Sequence, residues 1–380
     1  MKITDVRLSV FQLPTQTPFF NLARATLGNR EVWRSVPTTP YPTEYHVLHV
    51  NTDEGVEGVC TVGDARYTTM RMIDLEHLRH LAIGEDPLNR NRLESKLRTA
   101  TRHIFTMPGW YGAFDNCLWD IAGKAENKPV HQLIGTARDS APAYYNYRGG
   151  GTLEAAIEDI EHAISIGFSA VKDHLSWPVD KNTYWFGEVR RACGDDIDIM
   201  HDAAGAKYDL DDAIKAGHAL ESHGYRWFEE AIPDRDFNGL RKLCEELEIP
   251  VMALETLMHE PEISKTWLEQ GACDLVRAHA RHGTTTLLDL AKHAAEHGTN
   301  VELNGPGGLF GLVHTHLTCA IPNTTYYEYF PGGSRDELGR EIGLLNPPIP
   351  RNGKVTPPNR PGWGAVWDWQ YFNSVRFAEL

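Results

Sequence analysis

Three acidic residues recur along the chain at a nearly constant interval. Asp202, Glu229 and Glu255 stand 27 and 26 residues apart, each near the end of a short apolar run. The local sequences are I-D-I-M-H-D-A-A-G, Y-R-W-F-E-E-A-I-P and I-P-V-M-A-L-E-T. Three carboxylates that converge repel one another strongly unless a cation lies between them. Because hard oxygen ligands suit Mg²⁺, the residue types and their spacing predict a Mg²⁺ site at these three side chains.

The interval between the acidic residues is that of a repeating strand–helix unit. From about residue 141 onward, short apolar runs alternate with helical stretches, and eight such runs can be counted. The predicted strands are Ala141–Tyr147, Ala170–His174, Asp196–Asp202, Arg226–Glu229, Pro250–Glu255, Asp274–His279, Thr299–Asn304 and Thr325–Glu328. This pattern predicts an α/β fold with a (β/α)8-type barrel, in which the C-terminal strand ends meet at one mouth.

Other strand ends at the predicted mouth carry ionisable or hydrogen-bonding groups. Lys172 and His174 are two residues apart on the second strand and therefore share a face. The sixth, seventh and eighth strands end near His279, Asn304 and Glu328. Barrel interiors are otherwise filled with apolar layers, so polar groups repeating at one end favour a functional site.

The chemistry expected of such a site is proton abstraction next to a carboxylate. A metal stabilises the ene-diolate that forms when the α-proton of a bound carboxylate leaves. Either Lys172 or His174 could be the base on one face of the substrate, and His279 could act on another face. Asn304 and Glu328 are predicted to bind substrate rather than to carry protons.

The first part of the chain has a different pattern of apolar and polar residues from the barrel. Strand-like runs at Lys2–Leu13, Glu44–Asn51 and Val56–Val62 precede a helical block, which predicts an α+β unit. The long connection Thr15–Pro42 lacks periodicity, as lids over active sites often do. Within it, Arg24 is predicted to clamp a second substrate carboxylate. The domains predicted are an N-terminal α+β domain at 1–125, the barrel at 126–355 and a tail at 356–380 that packs back on the first domain.

Length and composition restrict the number of domains, the partners and the location that are expected. The chain has 380 residues, long enough for two domains, and a formal net charge of −15 that argues against a nucleic-acid or anionic-membrane partner. No apolar run has the length of a membrane span, and the start of the chain lacks a signal-peptide core, so cytoplasmic location is expected. The six cysteines are scattered, which predicts free thiols.

The motifs A-F-D-N-C-L-W-D, V-K-D-H, I-M-H-D-A-A-G, W-F-E-E-A-I-P and V-M-A-L-E-T resemble the enolase superfamily, in particular its mandelate racemase-like branch of acid-sugar dehydratase type. The resemblance covers almost the whole chain and implies a capping domain, a barrel and a tail. It also implies Mg²⁺ at the three acids, a small-molecule acid-sugar substrate and assembly as a homo-oligomer. The two capping loops that set substrate choice in the family would correspond to Phe20–Arg34 and Gly63–Met70.

Three departures from the family pattern narrow the expected activity. Members of this branch often carry K-x-K on the second strand, whereas this chain has His174 at the second lysine position. The usual Asp and His of the sixth and seventh strands are replaced by His279 and Asn304, and Ala204 replaces the Asn of a D-x-N motif. Losing the His–Asp pair weakens a two-base racemisation, which needs proton carriers on both faces of the carbon.

The function expected from the sequence is therefore that of a Mg²⁺-dependent lyase that dehydrates a sugar acid. Lys172 or His174 would take the α-proton, and His279 would assist departure of the β-hydroxyl as water. A racemase, an epimerase or a lactone cycloisomerase is the runner-up, because each can use the same enolate intermediate. A catalytically silent barrel and a metal barrel outside the enolase superfamily are further alternatives.

Overall fold

The computed structural model describes residues 1–14, 20–27, 30–37, 42–63, 69–104, 110–148, 151–258, 260–305, 308–331 and 338–380. Most of the capping loop predicted at Gly63–Met70 lies outside these residues. In chain order the N-terminal part contains β1 (Ile3–Pro14), β2 (Phe20–Leu27), β3 (Arg30–Pro37), β4 (Pro42–Thr52) and β5 (Glu57–Thr61), followed by α1 (Met72–Ala82), α2 (Arg90–Ile104) and α3 (Gly112–Ala125).

The three predicted N-terminal strands form one antiparallel sheet, with β4 between β1 and β5. The long connection between the first two of them differs from the prediction of an aperiodic stretch. It contains a separate antiparallel hairpin, in which Phe20 of β2 is opposite Pro37 of β3. The segment Glu31–Val36 holds two valines and a tryptophan, residue types that favour extended strands even without strict alternation.

The rest of the chain alternates strands with helices. The elements are α4 (Val130–Ile134), β6 (Ala141–Asn146), α5 (Leu153–Ser165), β7 (Ala170–Asp173), α6 (Val179–Cys193), β8 (Asp198–Asp202), α7 (Leu210–Ser222), β9 (Phe228–Glu229), α8 (Phe237–Glu246), β10 (Val251–Ala253), α9 (Pro261–Glu269), β11 (Leu275–Ala278), α10 (Thr284–Glu296), β12 (Val301–Leu303), α11 (Phe310–Ala320) and β13 (Tyr327–Tyr329). Among the described helices, none is both long and apolar enough to cross a membrane.

Strands β6 to β13 are parallel and pair in the order β12-β11-β10-β9-β8-β7-β6-β13. The two strands at the ends of this order are also linked to each other. Glu302 of β12 accepts the backbone N–H groups of Thr325 and Tyr326 just before β13, and Val301 donates to the backbone oxygen of Asn323. The predicted α/β fold with a (β/α)8-type barrel is confirmed.

Local sequence explains where the barrel helices begin. Thr152 caps α5, Asp209 caps α7 and Asp236 caps α8, each accepting a backbone N–H three residues later. Strands between them are short and buried on both faces, as expected of a parallel sheet covered by helices. Inside the barrel, large apolar side chains pack together below the mouth, namely Tyr144, Met200, Trp227, Met252 and Tyr326.

The end of the chain returns to earlier elements. A short strand β14 (Lys354–Val355) pairs with β6, helix α12 (Trp369–Val375) follows, and β15 (Ala378–Glu379) adds to the free edge of β1. Phe372 of α12 packs edge-on against Phe11, with ring centroids 4.9 Å apart. The N-terminal sheet is therefore extended by the last residues of the chain. All six cysteines are free thiols, as predicted.

Helix α3 joins the N-terminal part to the barrel. Asn116 donates to the backbone oxygen of Ala280 at 2.8 Å and accepts the backbone N–H of Thr284 at 3.0 Å. At Gly112 any side chain would collide with the backbone of Arg281, because an added Cβ would lie 2.0 Å from that carbonyl oxygen. The contact thus fixes the 3-10 turn Ala280–His282, which directly follows the end of β11.

Candidate active site

The three predicted metal ligands lie at the same end of adjacent strands. Asp202 ends β8 and Glu229 ends β9, and the two are partners in the parallel register. Glu255 lies two residues beyond β10, after Leu254, whose φ of 83° turns the chain. All three side chains are buried. Their shared position follows from one acid per strand–helix unit, as the sequence predicted.

Lys172 of β7 lies among these carboxylates. Its Nζ is 2.8 Å from Glu229 Oε2, 3.3 Å from Asp202 Oδ2 and 2.9 Å from Glu328 Oε1. The lysine side chain is only 1% exposed. Burial opposes its charged form, but the carboxylates of Glu229 and Glu328 outweigh burial and hold the pKa of Lys172 well above its usual range. Lys172 is therefore a buried ammonium group with three carboxylate neighbours.

Arg277 of β11 is a second buried cation, and the sequence reasoning did not include it. Its Nε is 3.0 Å from Glu229 Oε1 and 3.7 Å from Glu255 Oε2. Its guanidinium also pairs with Glu328 and donates to the Tyr144 hydroxyl at 3.1 Å. A usable signal was present, because a strand residue two before His279 lies on the same face as His279.

Two residues predicted to bind substrate contact the carboxylate cluster, and their binding of substrate stays a prediction. Asn304 donates through its side-chain amide to Glu255 Oε2 at 2.9 Å. Glu328 of β13 bridges the two cations, with Oε1 on Lys172 and Oε2 on Arg277. Both are buried at the mouth where the sequence placed them. In these contacts they hold other site residues in place.

The two predicted histidines lie in different surroundings. The Nε2 of His174 is 3.2 Å from Asp202 Oδ2, and its side chain is 43% exposed at the mouth. His279, directly after β11, is buried, and its Nδ1 accepts the backbone N–H of Arg281 at 2.9 Å. The His279 ring packs edge-on against Phe310 of α11, with centroids 4.9 Å apart. His174 thus borders the carboxylates, whereas His279 is anchored against α11.

Arg24 is exposed on the hairpin. Its side chain is 70% exposed, and among the described residues its ion pair is with Glu31 of the neighbouring strand β3. Among the described residues, the ion pair of Arg24 therefore lies within the hairpin, and its predicted contact with substrate stays a prediction.

The charge balance of the mouth accommodates a further cation. Burial raises the pKa of Glu230 to about 10, and the charges of Glu255, Asp202 and Glu229 act in the same direction. Burial also raises the pKa of Glu229, although Arg277 and Lys172 oppose the shift. For Glu230 the neighbouring carboxylates add to the effect of burial, because negative charges close together oppose one another's ionised form. The oxygen donors of Asp202, Glu229 and Glu255 are the type that Mg²⁺ prefers, so the residues present fit that ion.

A buried hydrogen-bonded pair of side chains lies behind the site. Asp173 of β7 and His201 of β8 are fully buried, and Asp173 Oδ1 is 2.5 Å from His201 Nδ1. Asp173 separates Lys172 from His174 in the chain, and His201 directly precedes Asp202. Because side chains alternate along a strand, this pair points away from the mouth and joins the two strands from behind.

Comparisons with known proteins identify the family. The sequence pattern of the enolase C-terminal domain-like family matches residues 155–371, more than half of the chain. The pattern of the mandelate racemase/muconate lactonizing enzyme N-terminal domain matches residues 31–135. The chain belongs to the enolase superfamily. The match to the N-terminal domain makes it mandelate racemase-like within that superfamily.

Individual relatives within the enolase superfamily cover most of the chain. The structure of D-glucarate dehydratase from Agrobacterium tumefaciens, complexed with magnesium, is similar over 100% of both chains, with 27% identity and a TM-score of 0.82. A D-galactonate dehydratase family member from Catenulispora acidiphila is 24% identical over 378 residues, covering 88% of this chain and 85% of the relative. The L-talarate/galactarate dehydratase of Salmonella typhimurium is 26% identical over 343 residues, covering 87% and 81%.

Because the chain belongs to the enolase superfamily, the residues at its mouth can be compared with the usual pattern of that superfamily. His174 occupies the place of the second lysine of K-x-K, and it is the more exposed of the two candidate bases. Asn304 stands where the branch often has a catalytic histidine, and here its amide holds Glu255. The mouth of this enolase-superfamily chain therefore keeps the three carboxylates, while the residues at the positions of the family's usual proton carriers differ from the common pattern.

Proposed function

We propose that the protein is a Mg²⁺-dependent acid-sugar dehydratase, a lyase that removes water from a small sugar acid. The observation that carries the proposal is the convergence of three acids at one mouth, where Asp202 and Glu229 contact Lys172 and Arg277 links Glu229 to Glu255. His174 lies beside Asp202 at the same mouth. Support comes from relatives named as dehydratases of glucarate and of talarate and galactarate. Assembly as a homo-oligomer and cytoplasmic location stay predictions from the sequence.

Asp202, Glu229 and Glu255 would hold the Mg²⁺. The bound ion would supply Lewis-acid stabilisation of the negative charge that forms on the substrate carboxylate. The buried guanidinium of Arg277 forms ion pairs with Glu229 and Glu255, and these ion pairs limit the rotation of both carboxylate side chains. Asn304 fixes Glu255 in the same way through its amide. We infer that both are positioning residues.

His174 is the proposed base. A base must offer a lone pair at an accessible position, and Lys172 is buried with its ammonium donors directed to Glu229, Asp202 and Glu328. The His174 imidazole is partly exposed at the mouth, and Asp202 beside it would stabilise the imidazolium formed after proton transfer. In this assignment Lys172 remains protonated and contributes positive charge near the substrate carboxylate.

His279 is proposed to assist the leaving hydroxyl. Because Nδ1 accepts the N–H of Arg281, the neutral ring carries its proton on Nε2 and can donate a hydrogen bond from it. In the overall step, the α C–H bond breaks and its proton passes to His174. The β C–O bond then breaks while His279 hydrogen-bonds the departing oxygen, and the hydroxyl leaves as water with the proton that His174 had taken. The enol product gives a 2-keto-3-deoxy acid. Substrate binding by Arg24 also stays a prediction.

The test is incubation with a panel of mono- and diacid sugars in D₂O containing Mg²⁺, followed by proton NMR and a keto-acid assay. A 2-keto-3-deoxy acid is expected from one or more of them. Glu229→Gln is expected to lower its formation by roughly 10³-fold or more, since a metal ligand is lost. His174→Asn should also lower formation. Glu245→Gln, at an exposed glutamate of α8, is the matched control and should leave the rate unchanged.

The same experiment separates the alternatives. Deuterium at the α-carbon without keto acid would contradict dehydration and favour an epimerase or racemase. A rearranged lactone without keto acid would favour a cycloisomerase. Full activity of His174→Asn together with deuterium exchange would move the base assignment to Lys172. Absence of both exchange and product across the panel would contradict the proposal and favour a barrel that binds without catalysis.

A further inference from the structure

A cluster of imidazole and carboxylate groups lies far from the mouth. Helices α9 and α10 are neighbours on the barrel surface, and Glu269 is the last residue of α9. His293 is in the last turn of α10, and His297 directly follows that helix. Barrel helices run opposite to the strands they follow, so both helix ends lie at the face opposite the carboxylate site.

The three side chains are close enough to share one ion. One ligand atom from each of Glu269, His293 and His297 lies within 4.8 Å of the other two. His293 Nε2 is 3.2 Å from Glu269 Oε1, and the two imidazole centroids are 4.5 Å apart. Residues four apart on a helix project from the same side, which explains why both rings face Glu269.

The ring orientation of His297 is that of a metal ligand. Its Nδ1 is 2.9 Å from the backbone oxygen of His293 and donates to it. The neutral ring therefore keeps its lone pair on Nε2. Metal-ligating histidines usually donate their other N–H to a carbonyl or carboxylate, which sets the tautomer and the ring direction. The last carbonyls of α10 also carry partial negative charge, which favours a cation at this end of the helix.

We propose that Glu269, His293 and His297 form a second divalent-metal site, selective for a borderline ion of the Zn²⁺ type. Two imidazoles and one carboxylate suit Zn²⁺, whereas Mg²⁺ prefers the oxygen-only donors at the mouth. Glu269 is 45% exposed and His293 19% exposed, so water can reach the cluster and complete the coordination. A bound ion would link the ends of α9 and α10.

The competing explanation is an ion pair alone. A protonated His293 next to Glu269 would account for their 3.2 Å separation without any metal. In that case His297 would contribute nothing to binding. Metal stoichiometry distinguishes the two explanations, because an ion pair binds no Zn²⁺ and a three-ligand site binds one ion per chain.

The experiment is a Zn²⁺ titration of the whole protein against a chromophoric chelator, with Mg²⁺ in excess to occupy the mouth. One Zn²⁺ per chain at micromolar affinity or tighter is expected, together with a rise in melting temperature. His297→Ala should lose that equivalent and the rise. His218→Ala is the matched control, since His218 is an exposed helical histidine that pairs with Glu221 but has a serine four residues on. It should bind as the wild type does.

Co²⁺ supplies a second measurement. Wild-type protein with Co²⁺ should show visible absorption bands of a nitrogen-ligated ion, and His297→Ala should lack them. Equal Zn²⁺ stoichiometry in wild type and His297→Ala would overturn the proposal. Binding of Zn²⁺ only at millimolar concentration would overturn it as well.

Discussion

Single residues at the mouth determine its charge. Among the described residues, four buried carboxylates and two buried cations form one network of contacts, and its remaining formal charge of −2 is the charge that one divalent ion neutralises. The carboxylates are Asp202, Glu229, Glu255 and Glu328, and the cations are Lys172 and Arg277. Charges that are in contact in a buried site interact strongly. The remaining negative charge therefore explains why these residues fit a divalent Mg²⁺ ion rather than a third basic side chain, which carries a single positive charge.

Replacing Arg277 tests this balance. Arg277→Met removes a cation from between Glu229 and Glu328 and leaves buried carboxylates without their partner. We expect the free energy of unfolding to fall by about 3–5 kcal/mol, measured by urea denaturation in the presence of EDTA. The control is Arg241→Met, at an exposed arginine that pairs with Glu245, which should change stability by about 0.5 kcal/mol or less. Similar stabilities of the two variants would contradict the role of Arg277.

The three acids are easier to recognise as site residues from the sequence than Arg277 is. Asp202, Glu229 and Glu255 stand out because each follows an apolar run at a constant interval. Arg277 lies within its run, where an arginine is most often a surface residue. Its burial depends on partners from other strands, and the pairing of Arg277 with Glu328 joins residues that no local pattern connects.

At the level of elements, strands β7 and β8 carry Lys172 and Asp202 of the proposed site and are joined behind these residues by Asp173 and His201. Asp173→Asn would remove the charge that holds the His201 ring while keeping the size of the side chain. We expect roughly tenfold weaker Mg²⁺ binding or turnover, since groups that orient ligands typically have effects of this size. Metal titration and keto-acid kinetics measure both.

Weaker Mg²⁺ binding or turnover can be assigned to the lost contact only if Asp173→Asn keeps its fold. Circular dichroism checks whether the fold is kept. The control is Asp180→Asn, because Asp180 is exposed on α6 and pairs with Lys215. It should leave Mg²⁺ affinity and turnover unchanged. If Asp173→Asn behaved like this control, the pair would have no influence on the site.

Element predictions succeeded where periodicity was strong. The eight barrel strands and the three strands of the first sheet were all visible in the sequence, with ends that differ by a few residues. The hairpin of β2 and β3 was not, because its strands lack strict alternation of apolar and polar residues. Pairing between the two strands, which local pattern does not report, accounts for its formation.

On the scale of the whole molecule, a buried histidine pair connects the barrel to the tail. His316 of α11 lies with its Nε2 3.2 Å from the backbone oxygen of Trp363 and its Nδ1 3.0 Å from His131 Nδ1. The backbone N–H of His131 also points to His316 Nδ1, at 3.3 Å. A proton on His316 Nδ1 would oppose the contact with this backbone N–H. Burial, with a smaller contribution from His131, lowers the pKa of His316 to about 3.

Acid should therefore destabilise the protein through His316. The folded pKa lies below the unfolded value of about 6.5, so the unfolded state takes up the proton first. The stabilising contribution is complete above pH 6.5 and is lost as pH falls from there toward 3. Between pH 7 and pH 5, unfolding free energy should fall by about 2 kcal/mol more in the wild type than in His316→Asn.

Urea denaturation at the two pH values measures this difference. His162→Asn, at an exposed histidine of α5, should keep the wild-type dependence. The same loss of stability in wild type and His316→Asn would contradict the assignment. A smaller loss in His316→Asn would locate part of the acid sensitivity at the contact between α11 and the tail.

The pairing of β15 with β1 also has a consequence for synthesis on the ribosome. Leu8 exchanges backbone hydrogen bonds with Leu380 in both directions, so the first sheet receives its outer strand only after the whole barrel has been translated. Until then this edge of β1 stays open, and an open edge invites pairing with other chains. Vectorial folding of the N-terminal sheet is therefore completed only after synthesis of the barrel, and during that interval nascent chains are exposed to misassembly.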